Sequence, residues 1–430
     1  MKRIVLRSVL VLALLFIFVA GTLTLMRGFS ASRLEKWKDE MGAKGEKLRV
    51  SELVPGPVVS NALLPRLIQA RNELGRSAPS TPLMRIVSQG VAHAAGKRTN
   101  ASPSMHRLVD DKAATLTEIR DAVKLRPRDL GWDYTNWNAY PGSALVDIRD
   151  SAHWLAAAMV IELDRSRRAA ALTNLLALLD LAHCHEREGT LVSQMVRVAL
   201  AGMAFSASWE ALQFAGWTDA ELTELQHSWE QLALAGPLEF GLQMERAVAL
   251  TYFEMGRHGD TNAIGMIASM GSFAEGFYAP LWQMALSKGD ELHYLRTIQT
   301  FLEALRATQE KRSGLELQRR AGQSDGWLAA YRYPMSNALR PNIGKALKRW
   351  LRMETERQLV LAAIGVERFR LRDGHYPEKL SQLVPEILPA LPVDFGDGQP
   401  IRYQREGDGF RLWSVTEGAQ WPRAESLDGK

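Results

Sequence analysis

Three consecutive residues with metal-binding side chains, His183, Cys184 and His185, are followed by Glu186. Imidazole, thiolate and carboxylate are the usual zinc ligands, and a structural site takes four of them in a tetrahedron. Successive side chains on a helix diverge by about 100°, so neighbours cannot converge on one ion. We interpret the segment as an ordinary helix end. Because Cys184 is the chain's one cysteine, an internal disulfide or a multi-cysteine site is excluded.

The segment from Gly90 to Arg98 (GVAHAAGKR) resembles a phosphate-binding loop at first sight. Such a loop has four residues between its glycines and a Ser or Thr after the lysine, whereas this segment has five residues and an arginine. The chain also lacks an HExxH motif. The sequence therefore predicts no catalytic residue, no cofactor and no metal site.

Aromatic and amide side chains alternate in one short segment that contains Trp132, Tyr134, Trp137 and Tyr140. Such side chains suit a groove for a sugar or a peptide, and we name these four residues as a candidate ligand or partner surface. The alternative is a loop whose rings cap the helical core, which is the more common use of large rings.

Basic residues are clustered at Arg340, Lys345, Lys348, Arg349 and Arg352. Such a run can meet anionic lipid or nucleic acid, but more often it is a solvated helix face. The formal charge of the chain is only +5, from 53 basic and 48 acidic residues. We therefore expect no nucleic-acid partner.

The elements that must position these residues begin with an uncharged stretch, Ser8 to Met26. A helix of this length spans roughly 28 Å, close to the ~30 Å hydrocarbon core of a bilayer. Its Leu, Val, Ile and Phe residues favour insertion by roughly 4–7 kcal/mol. The sequence predicts a transmembrane helix over residues 8–27, with the membrane as a partner.

The orientation and processing of this helix follow from its flanks. Basic residues lie on both sides of it, but the short basic head favours residues 1–7 in the cytoplasm and the large domain facing the periplasm or exterior. This places a single-pass protein in the inner (cytoplasmic) membrane. The alternative is a cleaved signal peptide, for which Val19-Ala20-Gly21 provides a site, although the apolar stretch exceeds the usual 7–15 residues.

The middle of the chain has helical patterning. Residues 28–143 are expected to form a juxtamembrane helix, opened by a capping box at Ser32 and Glu35, followed by irregular segments. Residues 144–345 are expected to form a helical domain, with apolar spacings of three and four and a capping box at Thr218 and Glu221. Gly265 to Leu286 is interpreted as a buried helix rather than a second span. The pattern predicts a multi-helix bundle or an irregular helical-hairpin stack.

Residues 346–430 change in character. One apolar stripe predicts a long helix, which Gly374 ends; a second short helix follows, and two alternating segments around Glu406–Gly409 predict a β-hairpin. The apolar stripe consists of Leu347, Leu351, Leu359, Ala362, Val366 and Phe369. The fold class is therefore mainly α, with a small C-terminal α+β module and a loose tail.

The segments ERFRLRDGHYP and GQPIRY resemble the soluble head of type II secretion major pseudopilins. The resemblance covers about the last fifth of the chain and implies a helix, a return loop packed through Tyr376-Pro377, and a short sheet. The anchor and the head helix of that family are continuous, whereas more than 300 residues separate them here. The tail also lacks the acid-rich calcium loop of that family, so no calcium site is predicted.

The whole chain resembles a group of membrane-anchored bacterial envelope proteins, on the segments LEKWKDEMGAKGEKLRVSELVPGPV and EREGTLVSQMVRVAL and on its C-terminal end. That resemblance implies an architecture and no activity. We expect a non-enzymatic scaffold or interaction domain with other envelope proteins as partners. The alternatives are an enzyme acting on cell-wall glycan or peptide, and an accessory component of a secretion or pilus-like system.

Overall fold

The computed structural model describes residues 2–54, 63–74, 103–125, 130, 142–268, 278–321, 329, 332–339, 343–419 and 421. Within these residues the chain is mainly helical and carries one two-stranded antiparallel sheet, as predicted. The helices are α1 (Lys2–Ala43), α2 (Val50–Leu53), α3 (Leu63–Leu74), α4 (Pro103–Asp111), α5 (Ala113–Ala122), α6 (Gly142–Asp164), α7 (Arg168–His183), α8 (Leu191–Leu212), α9 (Asp219–Gln231), α10 (Ala235–Arg257), α11 (Thr261–Ala268), α12 (Tyr278–Leu281), α13 (Ser287–Lys311), α14 (Leu315–Ala321), α15 (Pro334–Leu339) and α16 (Ile343–Asp373). A π-helical turn (Trp282–Leu286) joins α12 to α13, and strands β1 (Arg402–Glu406) and β2 (Gly409–Trp413) follow a 3-10 turn (Leu380–Leu383).

Local side-chain caps determine where several helices begin. The Thr190 hydroxyl accepts a hydrogen bond from the Ser193 amide (3.0 Å) at the start of α8. Thr218 and Glu221 form a reciprocal capping box at the start of α9, with distances of 2.9 and 3.2 Å. Each cap satisfies backbone amides that a helix start leaves unpaired. The capping box that the sequence predicts at Thr218 is confirmed.

Helix α1 is continuous over 42 residues, whereas the sequence predicts a break before a second helix at Ser32. The prediction of a break is wrong, because Ser32 lies inside α1. The segment between the two expected helices contains no proline, and its one glycine, Gly28, costs about 1 kcal/mol in a helix interior. This is too little to end a helix that is favourable on both sides.

The chain forms two compact units, each assembled from separate stretches of sequence. The first unit consists of Met1–Pro55, Leu242–Glu303 and Arg320–Gly344. The second unit consists of Gly56–Gly241, Ala304–Arg319 and Lys345–Lys430.

Helices α6, α7 and α8 pack together in the core of the second unit. Trp154 and Trp209 are buried there, and Trp229 of α9 donates from its indole nitrogen to the Ser208 hydroxyl at 3.0 Å. Helix α8 is long and apolar enough to cross a membrane, but 67% of its apolar window is buried. That burial is typical of a core helix.

The predicted buried helix from Gly265 to Leu286 falls partly outside the described residues. Its described parts are the end of α11, the whole of α12 and the π-helical turn, so they form more than one element. Gly265 is exposed, whereas Trp282 is fully buried. The Trp282 indole nitrogen donates to the Asp290 carboxylate (2.8 Å), which secures the turn within the first unit.

In the second unit, α16 leads into the hairpin, and residues 345–419 are called the C-terminal module. All six residues of the predicted apolar stripe are buried. Gly374 adopts a φ of +75° directly after the helix, the left-handed conformation expected of a helix stop. Glu356, expected on another face, is also buried and pairs with Arg352 at 2.8 Å.

The return loop of the C-terminal module packs on α16 and on the hairpin. The Tyr376 hydroxyl donates to Glu367 (3.1 Å), and the Tyr403 hydroxyl donates to the Pro377 carbonyl (2.6 Å). The rings of Tyr376 and Phe410 lie 5.4 Å apart. The hairpin is confirmed, with Tyr403 opposite Leu412 in the register; the predicted second short helix is a 3-10 turn.

One buried carboxylate organises the loop before the hairpin. Asp394 is fully buried and accepts hydrogen bonds from the Gly396 amide (2.9 Å), the Val415 amide (2.8 Å) and the Thr416 hydroxyl (3.0 Å). The Arg402 guanidinium pairs with both Asp394 and Asp397. Hydrogen bonding from Arg402 lowers the pKa of Asp397 below its usual value. The Arg402 guanidinium therefore balances the charge of both carboxylates in this loop.

Candidate functional site

The aromatic residues singled out by the sequence, Trp132, Tyr134, Trp137 and Tyr140, lie outside the described residues. Their interpretation as a ligand or partner surface stays a prediction.

The metal-ligand residues at the end of α7 are core residues. Helix α7 ends at His183, as an ordinary helix end predicts, and His183, Cys184 and His185 are all buried. Burial, reinforced by the charge of Arg197, lowers the pKa of His185 to about 3. Within the part of the chain that the structure describes, no group of three or more His, Cys, Asp or Glu side chains is arranged to hold a metal ion.

The described residues of the basic run share one face near the start of α16. Arg340 lies outside the described residues, whereas Lys345, Lys348 and Arg349 are exposed. Arg352 pairs with Glu356 of the same helix. This arrangement is that of a solvated helix face.

A different feature of the first unit has unusual exposure. Seven large apolar side chains of α1 between positions 14 and 29 are from 42% to 76% exposed. They are Leu14, Leu15, Ile17, Phe18, Leu25, Met26 and Phe29. Full burial of each side chain is worth about 1.5–3 kcal/mol. Exposure of this surface to water is therefore unfavourable by roughly 6–13 kcal/mol relative to full burial. An apolar surface of this extent is typical of a membrane or interaction site.

The later part of α1 is packed into the first unit. Leu34, Trp37 and Met41 are buried, with the spacing of three and four residues of one helix face. Lys38 Nζ lies 2.8 Å from the fully buried Glu291 carboxylate, which also pairs with Arg257 of α10. A buried carboxylate with two cationic partners ties α1 to α13 and α10.

A second buried network fixes the chain just after α1. Arg246 is fully buried and donates to Glu46 and to the Lys47 carbonyl, both at 2.9 Å. Gln299 of α13 completes the network by donating to Glu46 at 3.0 Å. These contacts leave the charge of Arg246 compensated inside the unit.

Where α1 leaves the packed region, it borders a cleft of about 150 Å³, which we call the basic cleft. Its walls come from α1, from the π-helical turn and α13, and from the residues just before α15. It is lined by Met26, Ser30, Arg33, Ala285, Leu286, Gly289, Leu292, His293, Arg296, Arg332 and Tyr333. A side-chain carbon added at Gly289 would lie 3.5 Å from the Ser30 hydroxyl, so two small residues bring α1 and α13 close together.

Three arginines of the basic cleft have no acidic partner in the part of the chain that the structure describes. Within the described residues, neither Arg33, Arg296 nor Arg332 forms an ion pair. The guanidinium carbon of Arg33 lies 5.5 Å from the ring centre of Phe29, and that of Arg332 lies 5.3 Å from the ring centre of Tyr333. A cation–π contact of this kind uses the charge of the guanidinium, which keeps N–H donors that can bind an anion.

Two carboxylates of α13 that follow the cleft residue Gly289, Asp290 and Glu291, are engaged elsewhere. Asp290 is fully buried and accepts from the amides of Met335 (2.9 Å) and Ser336 (3.1 Å) at the start of α15. Burial raises the pKa of Asp290 to about 6. Burial, together with the charge of Arg257, lowers the pKa of the neighbouring Lys288. The basic cleft is therefore positively charged, and it suits an anionic group.

Sequence reasoning missed the basic cleft. Its arginines come from three distant segments, so no spacing connects them. The one available signal was Arg33, a cation shortly after an apolar helix. Arg296 and Arg332 carry no local signature.

No protein-family model, curated protein or solved structure matches this chain.

Proposed function

We infer that the chain is a membrane-tethered envelope protein whose helical units serve as a non-enzymatic scaffold or protein-interaction domain. In this proposal residues 8–27 cross the inner membrane once, residues 1–7 stay in the cytoplasm, and the remainder faces the periplasm or exterior. The partners are other envelope proteins.

The observation that carries the proposal is the change in exposure along α1. Seven large apolar side chains from Leu14 to Phe29 are exposed, whereas from Leu34 onward one face of the same helix is buried. A tether requires this combination of an apolar segment available to lipid and a continuous attachment to the folded domain. Helix α8 is also long and apolar, but its burial excludes it as the exposed segment.

The test places two charges at the centre of the apolar stretch. Each lysine at that position costs about 2.5–3.5 kcal/mol, so Ile17→Lys with Phe18→Lys offsets the insertion energy of roughly 4–7 kcal/mol. Alkaline extraction of membranes should leave the wild-type chain in the pellet and release the double variant. The matched control is Val192→Lys with Leu315→Lys, at apolar residues of similar exposure in the second unit, and it should stay in the pellet.

Extraction of the wild-type chain, or retention of the double variant at the wild-type level, would contradict the proposal. Intact mass separates the tether from the signal-peptide alternative, because cleavage after Gly21 would remove the apolar segment. A tether keeps the full mass.

The two alternative functions stay predictions. An enzyme acting on cell-wall glycan or peptide would use the segment from Trp132 to Tyr140, which lies outside the described residues. The role as an accessory component of a secretion or pilus-like system depends on the resemblance of the C-terminal module, which is an argument by analogy.

A further inference from the structure

We propose that the basic cleft binds the phosphate group of an anionic phospholipid. The inference deepens the proposed function and rests on it, because lipid reaches this cleft as its ordinary neighbour only when residues 8–27 cross the bilayer.

The position of the cleft along α1 matches the headgroup layer. At 1.5 Å per residue, Ser30 lies about 5 Å and Arg33 about 9 Å beyond Arg27. The headgroup region extends roughly 5–8 Å beyond the hydrocarbon core on each side. The α1 wall of the basic cleft therefore begins within the layer that contains lipid phosphates.

The side chains of the cleft match a phosphate group chemically. A guanidinium offers a planar set of N–H donors that fits two phosphate oxygens at once. Arg33, Arg296 and Arg332 line one cleft, and none of them is paired within the described residues. Asp290 and Glu291, which directly follow the cleft residue Gly289, are already bound to other groups. An anion therefore meets cations that no carboxylate among the described residues neutralises.

The size and the rim of the cleft distinguish a lipid from a free anion. A volume of about 150 Å³ is roughly five times the ~30 Å³ that a water molecule occupies in the liquid, so a tetrahedral group of four oxygens fits. Met26 lines the cleft and is 42% exposed, and Phe29 on the same helix is 66% exposed. A ligand with a charged head and an apolar tail satisfies both the arginines and this apolar rim.

The test titrates the full chain, purified in neutral detergent micelles, with short-chain phosphatidylglycerol. Short-chain phosphatidylcholine and inorganic phosphate are titrated in parallel, and binding is followed by calorimetry. We expect saturable binding of phosphatidylglycerol and much weaker binding of the other two. Each arginine near lipid contributes about fivefold in affinity, so Arg33→Gln, Arg296→Gln and Arg332→Gln together should weaken binding by on the order of a hundredfold.

The control removes the same charge elsewhere, through Lys345→Gln, Lys348→Gln and Arg349→Gln on the exposed face of α16. It should bind phosphatidylglycerol like the wild-type chain, and circular dichroism should show both triple variants folded. Equal binding by the wild-type chain and the arginine variant, or equal loss in both variants, would overturn the proposal. Inorganic phosphate binding as tightly as phosphatidylglycerol would overturn the lipid as the ligand.

Because the titration uses micelles, its result is independent of insertion into a bilayer. A chain that binds phosphatidylglycerol but is extracted from membranes would contradict the tether alone. A chain that resists extraction but shows no preference for phosphatidylglycerol would contradict the lipid site alone.

Discussion

Replacing His185 with glutamine should change how the stability of the protein responds to acid. His185 is fully buried, and its burial together with Arg197 holds its pKa near 3, against 6.5 in an unfolded chain. Below pH 6.5 His185 therefore becomes protonated in the unfolded state but stays neutral in the folded state, so the free energy of unfolding falls as the pH falls. The loss from this one group is about 1 kcal/mol at pH 5.5 and about 3 kcal/mol at pH 4.5.

The assay is equilibrium urea unfolding of the full chain in neutral micelles at pH 7.5 and pH 4.5. His185→Gln leaves a buried amide whose cost does not depend on pH, so the variant is less stable at neutral pH but loses less stability on acidification. Replacing the exposed His227 with glutamine is the control, and it should keep the acid response of the wild-type chain. If His185→Gln and the wild-type chain lose the same stability between the two pH values, the assignment of a neutral core histidine is refuted.

Three further substitutions test the packing. Asp394→Asn should lower the free energy of unfolding by about 2–3 kcal/mol, because the amide replaces one of two buried acceptor oxygens with a nitrogen that cannot accept a hydrogen bond. Faster proteolysis of the C-terminal module would show this loss of stability. Gly314→Ala should lower the free energy of unfolding by about 1–3 kcal/mol, because its new carbon would lie 2.7 Å from the Phe395 carbonyl oxygen. The control is Gly236→Ala, whose new carbon has nothing within 4 Å, and it should be neutral or stabilising. Urea unfolding measures both. Glu291→Gln should lower the free energy of unfolding by about 2–3 kcal/mol, because the partly exposed cations Lys38 and Arg257 lose their counter-charge. The rate of amide hydrogen exchange in α1 should rise. An unchanged rate would contradict the role of Glu291 in attaching α1.

Local patterns predicted much of the architecture. The capping box at Thr218, the apolar stripe of α16, the stop at Gly374 and the hairpin all follow from side chains close together in sequence. The short second helix was harder to predict, because a single turn such as Leu380–Leu383 differs little in pattern between α and 3-10 geometry.

What the sequence missed depends on contacts between distant segments. Ser32 has the residue type of a helix start, but continuation of α1 costs less than a break. The burial of Glu356 depends on what surrounds α16, which periodicity does not show. The basic cleft depends on Arg33, Arg296 and Arg332 meeting in space, and no spacing rule connects them.

The most direct test of the tether is the accessibility of two introduced cysteines to a membrane-impermeant maleimide. The native Cys184 is fully buried and should contribute no background. Lys44→Cys places a thiol at an exposed position just beyond α1, and Lys2→Cys places one in the head. We expect labelling at position 44 in cells with an intact inner membrane, and labelling at position 2 only after that membrane is permeabilised. Equal labelling at both positions in intact cells, or labelling at position 2 alone, would contradict a helix that crosses the membrane with the folded domain outside.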